Sequence, residues 1–328
     1  MSISVSIITP VYNTALFIDR CAHSLFEQTF ENIEYIFVND ATPDNSIEIL
    51  RNIAAKYPKR NIKIITHNTN KGIAAARRTG IDNAKGDYIL MCDSDDYIEQ
   101  EMVQLLYEKA LKENADITVC NIYDEYNDCK ILCEDLIVEN KAKNFENILV
   151  NKEGILKSLC NKLVRKYLFD NPETIAPQGM NYMEDWFVTL RLYYFANKII
   201  KVNTPLYHYV RYNTSATTKE VTERHFKDVA AFYKTLKEFL TAHSISDKYN
   251  KQISTLEMQK KLQLLWGTKN PKLRYKYSSM FAENEKLLWK ELKVSDKIML
   301  CFSRNKATFW LTSILRFLVV LKQKIVTL

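Results

Sequence analysis

The chain is poor in the residues on which several large protein classes depend. It has 6 glycines in 328 residues, and they form no glycine-rich phosphate loop. A dinucleotide-dependent dehydrogenase or a P-loop kinase would therefore lack its phosphate cradle. The 7 cysteines (Cys21, Cys92, Cys120, Cys129, Cys133, Cys160, Cys301) are odd in number and have no C-x-x-C spacing. That pattern argues against a disulfide framework or a zinc site and suits a reducing cytoplasm. No basic segment with a long apolar core opens the chain, so no secretory leader is expected. Internal repeats and low-complexity tracts are also missing, which removes solenoid architectures.

What is present is the composition of an ordinary globular protein, 47% hydrophobic and 26% charged, long enough for one large core or two modest ones. The net charge of +7 is concentrated towards the C-terminus. An anionic partner is expected there, a membrane surface or a phosphorylated substrate, and not a nucleic acid.

The first third alternates short strands and helices. Residues 3–9 are strand-like, and Asn13 or Thr14 can cap a helix carrying Leu16, Ile18, Cys21, Leu25 and Phe26 on one face. A second strand, 35–38, ends in Asn39-Asp40, and Asp44 or Ser46 starts the next helix. A third strand, 62–66, is followed by Asn70-Lys71-Gly72 and a helix over 73–84. Then residues 88–92 run into Asp93-Ser94-Asp95-Asp96. Continuously apolar strands with helices between them predict an α/β fold with a parallel sheet covered on both faces.

In such sheets ligands sit beyond the carboxyl ends of the strands. Pro10 to Asn13, Asp40, Lys71-Gly72 and Asp93 to Asp96 all fall there. Tyr12 can stack on a base, Asp40 can accept an N–H, and the aspartate cluster calls for a hard cation, Mg²⁺ or Mn²⁺, on a diphosphate. Arg77 is a candidate phosphate ligand. Each residue has a structural reading too: a core-edge aromatic for Tyr12, a turn residue for Asp40, a solvated helix face for Arg77 and Arg78, an exposed acidic turn for the aspartates.

These motifs, Ile8-Thr9-Pro10-Val11-Tyr12-Asn13, Val38 to Ser46, Asn70-Lys71-Gly72 with Ala76-Arg77, and Gly86-Asp87-Tyr88 leading to Asp93-Ser94-Asp95-Asp96, occur in an order and spacing that resemble family 2 glycosyltransferases of GT-A fold. The likeness is dense over roughly the first 125 residues. It implies a Rossmann-like nucleotide-binding sheet in which Pro10 to Tyr12 and Asp40 bind the base, Asp93 lies near the ribose, and Asp95 coordinates the metal. Asn39 and Arg78 depart from the family's usual Asp and Asn, which touches donor preference.

Residues 121–140 read as an acidic, irregular excursion or β-ribbon over the site, and 160–166 and 179–187 also stand out. Glu184 and Asp185 open a helix whose apolar face includes Trp186, Phe187 and Leu190, where the helix dipole favours acids. By the resemblance Asp185 is the catalytic base of an inverting transfer. Residues 206–215 form a tyrosine-rich strand and loop in which Arg211 is a phosphate candidate and His208 is either a third metal ligand or a structural histidine. A GT-A domain over 1–218, with an acceptor half from 126, is expected to precede a helical region over 219–328.

Helical stripes, Phe226, Val229, Tyr233, Leu236 and Leu240, then Ile253, Leu256, Leu262 and Leu265, carry no chemistry. The tail at 309–321 is strongly apolar with basic flanks, but it is short of the ~20 residues of a span and contains Arg316. It reads as an interfacial helix, or as one docking on the protein's own core or on a homodimer partner. The expected function is metal-dependent transfer of a hexose or N-acetylhexosamine from a UDP-type nucleotide sugar to a glycan or lipid-linked glycan, in bacterial surface polysaccharide synthesis at the inner face of the membrane. The rivals are a sugar nucleotidyltransferase and a non-catalytic membrane-associated partner.

Overall fold

The computed structural model describes residues 3–211 and 220–326, with side chains as far as residue 319. Two compact units divide the chain, Met1–Ser215 and Ala216–Leu328. The boundary expected after residue 218, and Tyr212 to Ser215 of the tyrosine-rich loop, lie outside the described residues.

In the first unit, strands β1 (Val5–Val11), β2 (Ile33–Asn39), β3 (Asn61–Thr66) and β4 (Tyr88–Met91) pair in parallel in the order β3-β2-β1-β4. Every residue of β2 is buried, as is every residue of β1 except Pro10. Burial on both faces is why these strands read as unbroken apolar runs. Helices α1 (Ile18–Phe26), α2 (Ser46–Ala54) and α3 (Ile73–Asn83) fill the crossovers. α3 packs on β1 and β2, and a Cβ added at its Gly80 would stand 2.2 Å from Ile8 Cγ2, so only glycine permits that approach.

The sheet then turns mixed. Strand β5 (Tyr97–Ile98) and helix α4 (Met102–Glu113) follow the aspartate cluster, and β6 (Ile117–Glu125) and β7 (Lys130–Cys133) make a hairpin. Beyond α5 (Lys141–Leu149), β8 (Lys162–Arg165) inserts antiparallel between β4 and β6. Helix α6 (Glu184–Phe195) leads to β9 (Ile199–Val210), parallel to β6 and antiparallel to β5. The full order is β3-β2-β1-β4-β8-β6-β9-β5, with β7 on β6: a mostly parallel GT-A-like sheet flanked by helices.

One local expectation changes, and one of two alternatives is selected. Leu16 is 89% exposed, because α1 starts at Ile18 on the Thr14 carbonyl and leaves Leu16 in the preceding turn. The 121–140 stretch is a β-ribbon over its first half, because β6 continues through Glu125 before turning back as β7.

The second unit is helical: α7 (Glu223–Ala242), α8 (Ser246–Gly267), α9 (Pro271–Tyr277), α10 (Ala282–Leu288), α11 (Val294–Arg304) and α12 (Leu311–Val326). The stripes expected on α7 and α8 are buried. Among the described residues, no helix is long and apolar enough to cross a membrane.

Candidate active site

The parallel strands end together. Asp40 N–H donates to the Val11 carbonyl, His67 N–H to Asn39, and Cys92 N–H to Ile8, so the segments leaving β1, β2, β3 and β4 share one rim. The entry to β4 is fixed as well: the Ser6 hydroxyl donates to buried Glu34 at 2.6 Å and accepts from Gly86 N–H at 2.8 Å. A hydrogen-bonded turn therefore delivers the strand that carries the aspartates.

On this rim Tyr12 is 48% exposed, an aromatic face open to a ligand. Pro10 lies beneath it at the end of β1. Asn13 takes a positive φ of 57° and donates its N–H to Thr42 Oγ1. Asp44 ties this loop to α2, accepting from Ala15 N–H and from the Thr42 and Ser46 hydroxyls. Partial burial raises its pKa, but those bonds outweigh it and hold the carboxyl below its ordinary value.

Asp40, the expected base ligand, has partners within the protein. It is buried and accepts from His67 Nδ1, Lys71 N–H and Gly72 N–H, each at 2.8 Å. Three of the roughly four lone-pair positions of a carboxylate are thus used by the protein. Asp40 shapes the loop between β3 and α3. Gly72 in that loop has φ +88°, and an added Cβ would meet Asn181 Oδ1 at 2.3 Å. The Lys71 side chain is exposed.

The centre of the site is Arg77. Its guanidinium, 5% exposed, donates to Asp93 Oδ1 at 3.0 Å, to Glu184 Oε1 at 3.3 Å, and in a short contact to Asp185. It thereby joins the end of β4 to the first turn of α6, and it is not a solvated helix-face residue. Its sequence neighbourhood offers the reason: Ala74 and Gly80, three residues to either side, are both buried, so that face of α3 points inward. Three carboxylates around one guanidinium leave an excess of negative charge. Burial, the Asp185 charge and Arg77 together set the Glu184 carboxyl, raised to about 7. Asp185 is also raised, by burial first and the Asp93 charge, against the lowering pull of Arg77.

The rest of the aspartate cluster separates by environment. Asp96 is buried, takes the Tyr207 hydroxyl at 2.5 Å and Val210 N–H at 2.8 Å, and is pushed well above the carboxylate range by burial and by Asp95 and Asp93. Ser94 is buried, and Asp95 is half-buried at the rim. His208, expected near a metal, is 2% exposed, with Nε2 on Glu99 at 2.8 Å, Nδ1 on Glu125 at 3.2 Å, and its ring stacked on Tyr97. Both of its nitrogens are engaged, because β9 pairs with β5 and β6 there. Arg211 pairs with Asp124 at 3.1 Å and lies over the Tyr209 ring, one residue past the Val210 N–H that holds Asp96.

Tyr207, His67 and Asp135 are contributors not singled out from sequence, and Glu184 was read there only as a helix-entry acid. A tyrosine-rich strand after the acidic loop is the only hint of Tyr207. Asp135 and Lys162 form a fully buried pair, and Lys162 Nζ also donates to the Leu156 and Ser158 carbonyls and to Asn161.

Among the described residues no group of three or more His, Cys, Asp or Glu side chains converges as a closed metal cage. A hard cation fits nonetheless, because Mg²⁺ and Mn²⁺ are commonly held by one or two carboxylates with substrate phosphates completing the shell. Asp95 suits that role. Asp96 already accepts from Tyr207 and Val210, and His208 has both ring nitrogens engaged by Glu99 and Glu125.

Comparison with known proteins agrees with this architecture. Residues 6–171 match the family model described as Glycosyl transferase family 2. The chain is 33% identical over 258 residues to the putative glycosyltransferase EpsH of Bacillus subtilis, spanning 77% of this chain and 73% of that protein. It is similar in fold to S. aureus TarS in complex with UDP-GlcNAc, with a TM-score of 0.60 and 19% identity over 88% of this chain and 92% of that one. The mannosyltransferase PcManGT of Pyrobaculum calidifontis, in complex with GDP-Man and Mn²⁺, has a TM-score of 0.55 and 12% identity over 96% of this chain and 84% of that one. A parallel sheet with an acidic rim at its carboxyl edge, a matching family model and a relative at this identity lead to one conclusion: the chain belongs to glycosyltransferase family 2 and is a glycosyltransferase.

Proposed function

We propose that the protein is a metal-dependent inverting glycosyltransferase that moves a hexose or N-acetylhexosamine from a nucleotide sugar, UDP-linked, to a hydroxyl of a glycan or lipid-linked glycan in surface polysaccharide synthesis. The observation that carries this reading is the Arg77 bridge, which gathers Asp93 and Asp185 at one point of the rim. Tyr12 offers the base a stacking face, Asn13 and Lys71 flank it, and Ser94 and Asp95 follow Asp93 towards the diphosphate. The UDP-GlcNAc bound to TarS and the GDP-Man bound to PcManGT support the donor class, and the Mn²⁺ of the latter supports a divalent ion. Asp95 would hold that ion together with the donor's phosphate oxygens. When bound, it would supply positive charge at the diphosphate as that group departs.

Asp185 takes the proton of the acceptor hydroxyl as its oxygen attacks the anomeric carbon. The bond from that carbon to the phosphate oxygen breaks on the opposite face, the nucleoside diphosphate leaves with the electron pair, and configuration inverts. Burial makes Asp185 a stronger base than an ordinary aspartate, while Arg77 keeps it ionised and aimed. Arg211, beside the Asp96 loop, is a cation within that neighbourhood for the phosphates. A lipid-linked acceptor would place the enzyme in the cytoplasm, peripheral at the inner face of the membrane, with the C-terminal tail as its contact.

The test is a screen of nucleotide sugars, with and without Mn²⁺ or Mg²⁺, for donor hydrolysis and thermal stabilisation. Stimulated hydrolysis of one donor is expected. A chain that neither binds nor turns over any donor in the presence of metal would overturn the reading.

A further inference from the structure

Helix α12 is mounted with its polar side against its own unit. Thr312 is fully buried, and its hydroxyl accepts from Arg274 Nη1 at 2.8 Å, while Ser313 Oγ accepts from the same nitrogen at 3.1 Å. One turn on, Arg316 Nε donates to the Trp266 carbonyl at 2.9 Å. Arg274 is itself buried and donates to the Leu265 and Thr268 carbonyls, so the helix is latched by a committed polar network. The residues left outside are the apolar ones: Trp310, just ahead of the helix, is 54% exposed, Ile314 50%, Phe317 62% and Leu318 58%.

Those four positions follow the i, i+4, i+7, i+8 spacing of a single helix face. A surface helix of a globular unit normally points that face inward, and here it points outward. Helix α11, which packs against α12, leaves Val294 and Ile298 exposed as well. A contiguous apolar face of this kind marks an interaction surface.

We propose that this face is a lipid-binding surface that seats the enzyme on an anionic membrane. It belongs to the membrane-facing part of the function proposed above and rests on that part alone, not on the assignment of the base or the donor. Charge selects the occupant. Residues 293–328 carry seven Lys and Arg against one acid, Asp296. A second copy packed on the same face would bring these bases together across a symmetric interface, where like charges oppose association. An anionic headgroup layer complements them. Length excludes spanning: 16 helical residues rise roughly 24 Å, short of the ~30 Å hydrocarbon core, so the helix lies in the interface plane. Trp310, its indole N–H satisfied by the Ala307 carbonyl, is the side chain type that settles at headgroup level.

The test uses the full chain and flotation with vesicles of phosphatidylglycerol and phosphatidylcholine, against vesicles of phosphatidylcholine alone. Wild type is expected to float with the anionic vesicles and to be released by high salt. The combined variant Ile314→Ser, Phe317→Ser, Leu318→Ser, which alters only exposed side chains, is expected to lower partitioning at least about tenfold. Thermal melting and donor hydrolysis without vesicles should stay at wild-type values in that variant. Truncation of the tail is a poorer probe, because it strips Arg274 of Thr312 and Ser313. Absence of binding to anionic vesicles, or equal binding by the triple variant, would overturn the proposal. So would a wild-type dimer in light scattering that the same substitutions convert to monomer, since a second copy would then be the occupant. Vesicle binding without donor turnover would sink the donor reading and leave this surface standing.

Discussion

Each acid of the site has a different environment, and the chemistry follows from the environment. If Asp185 is the base, Asp185→Asn should drop transfer to background while donor affinity by calorimetry is kept, because the amide holds the shape but takes no proton. Lost donor binding would mark a structural role instead. Asp95→Asn should lower transfer at least ~100-fold, about 2.7 kcal/mol of barrier, and weaken the stimulation by Mn²⁺; near-normal turnover would remove Asp95 from the metal. The sequence places three aspartates at a strand end, and there only the family resemblance divides them. Asp96 and His208 are engaged by the protein because β9 brings Tyr207 and Val210 to the one and sets the other between two glutamates. Asp40 is similar: its position after β2 is readable, whereas its capture by His67 and the 71–72 amides depends on how β3 and α3 pack.

Arg77 links three elements, and a change there should be felt between them. With Arg77→Met, Asp93, Glu184 and Asp185 lose their shared cation, and stripping one partner from a buried ion group costs roughly 3–5 kcal/mol. The expected result is a melting temperature well below wild type at pH 7.5, with part of the loss recovered at pH 5, below the value of about 7 to which Glu184 is raised. A melting temperature unchanged at both pH values would mean the bridge carries no stability. At this scale β1, β2 and β4 were legible because doubly covered strands are largely apolar, and α7 because its stripe keeps a 3.6-residue period. The short strand β5 was not, since its pairing is decided by a partner far along the chain: Tyr97 faces His208.

Over the whole molecule, buried acids give the fold a pH signature. Glu184 is raised from 4.5 to about 7 in the folded state, chiefly by burial, so the native protein binds a proton that the unfolded chain has already lost in that window. Its contribution to stability is full below about pH 4.5 and is lost as pH rises through about 7; Asp185 and Asp96, also raised, act in the same direction. Between pH 5 and 8 the melting temperature should fall less in Glu184→Gln than in wild type, and identical slopes would show that Glu184 does not titrate there. What the sequence by itself determined is the family, the order of strands and helices through the parallel half, and the rim on which the motifs gather. Those depend on local patterns of burial and on residues a few positions apart. Tertiary structure alone decided which carboxylate meets Arg77, which is spent on Tyr207, and which way the tail helix faces. Each of those depends on contacts between residues far apart in the chain, from Arg77 to Asp185 and from Arg274 to Thr312, and no local pattern encodes such a pairing.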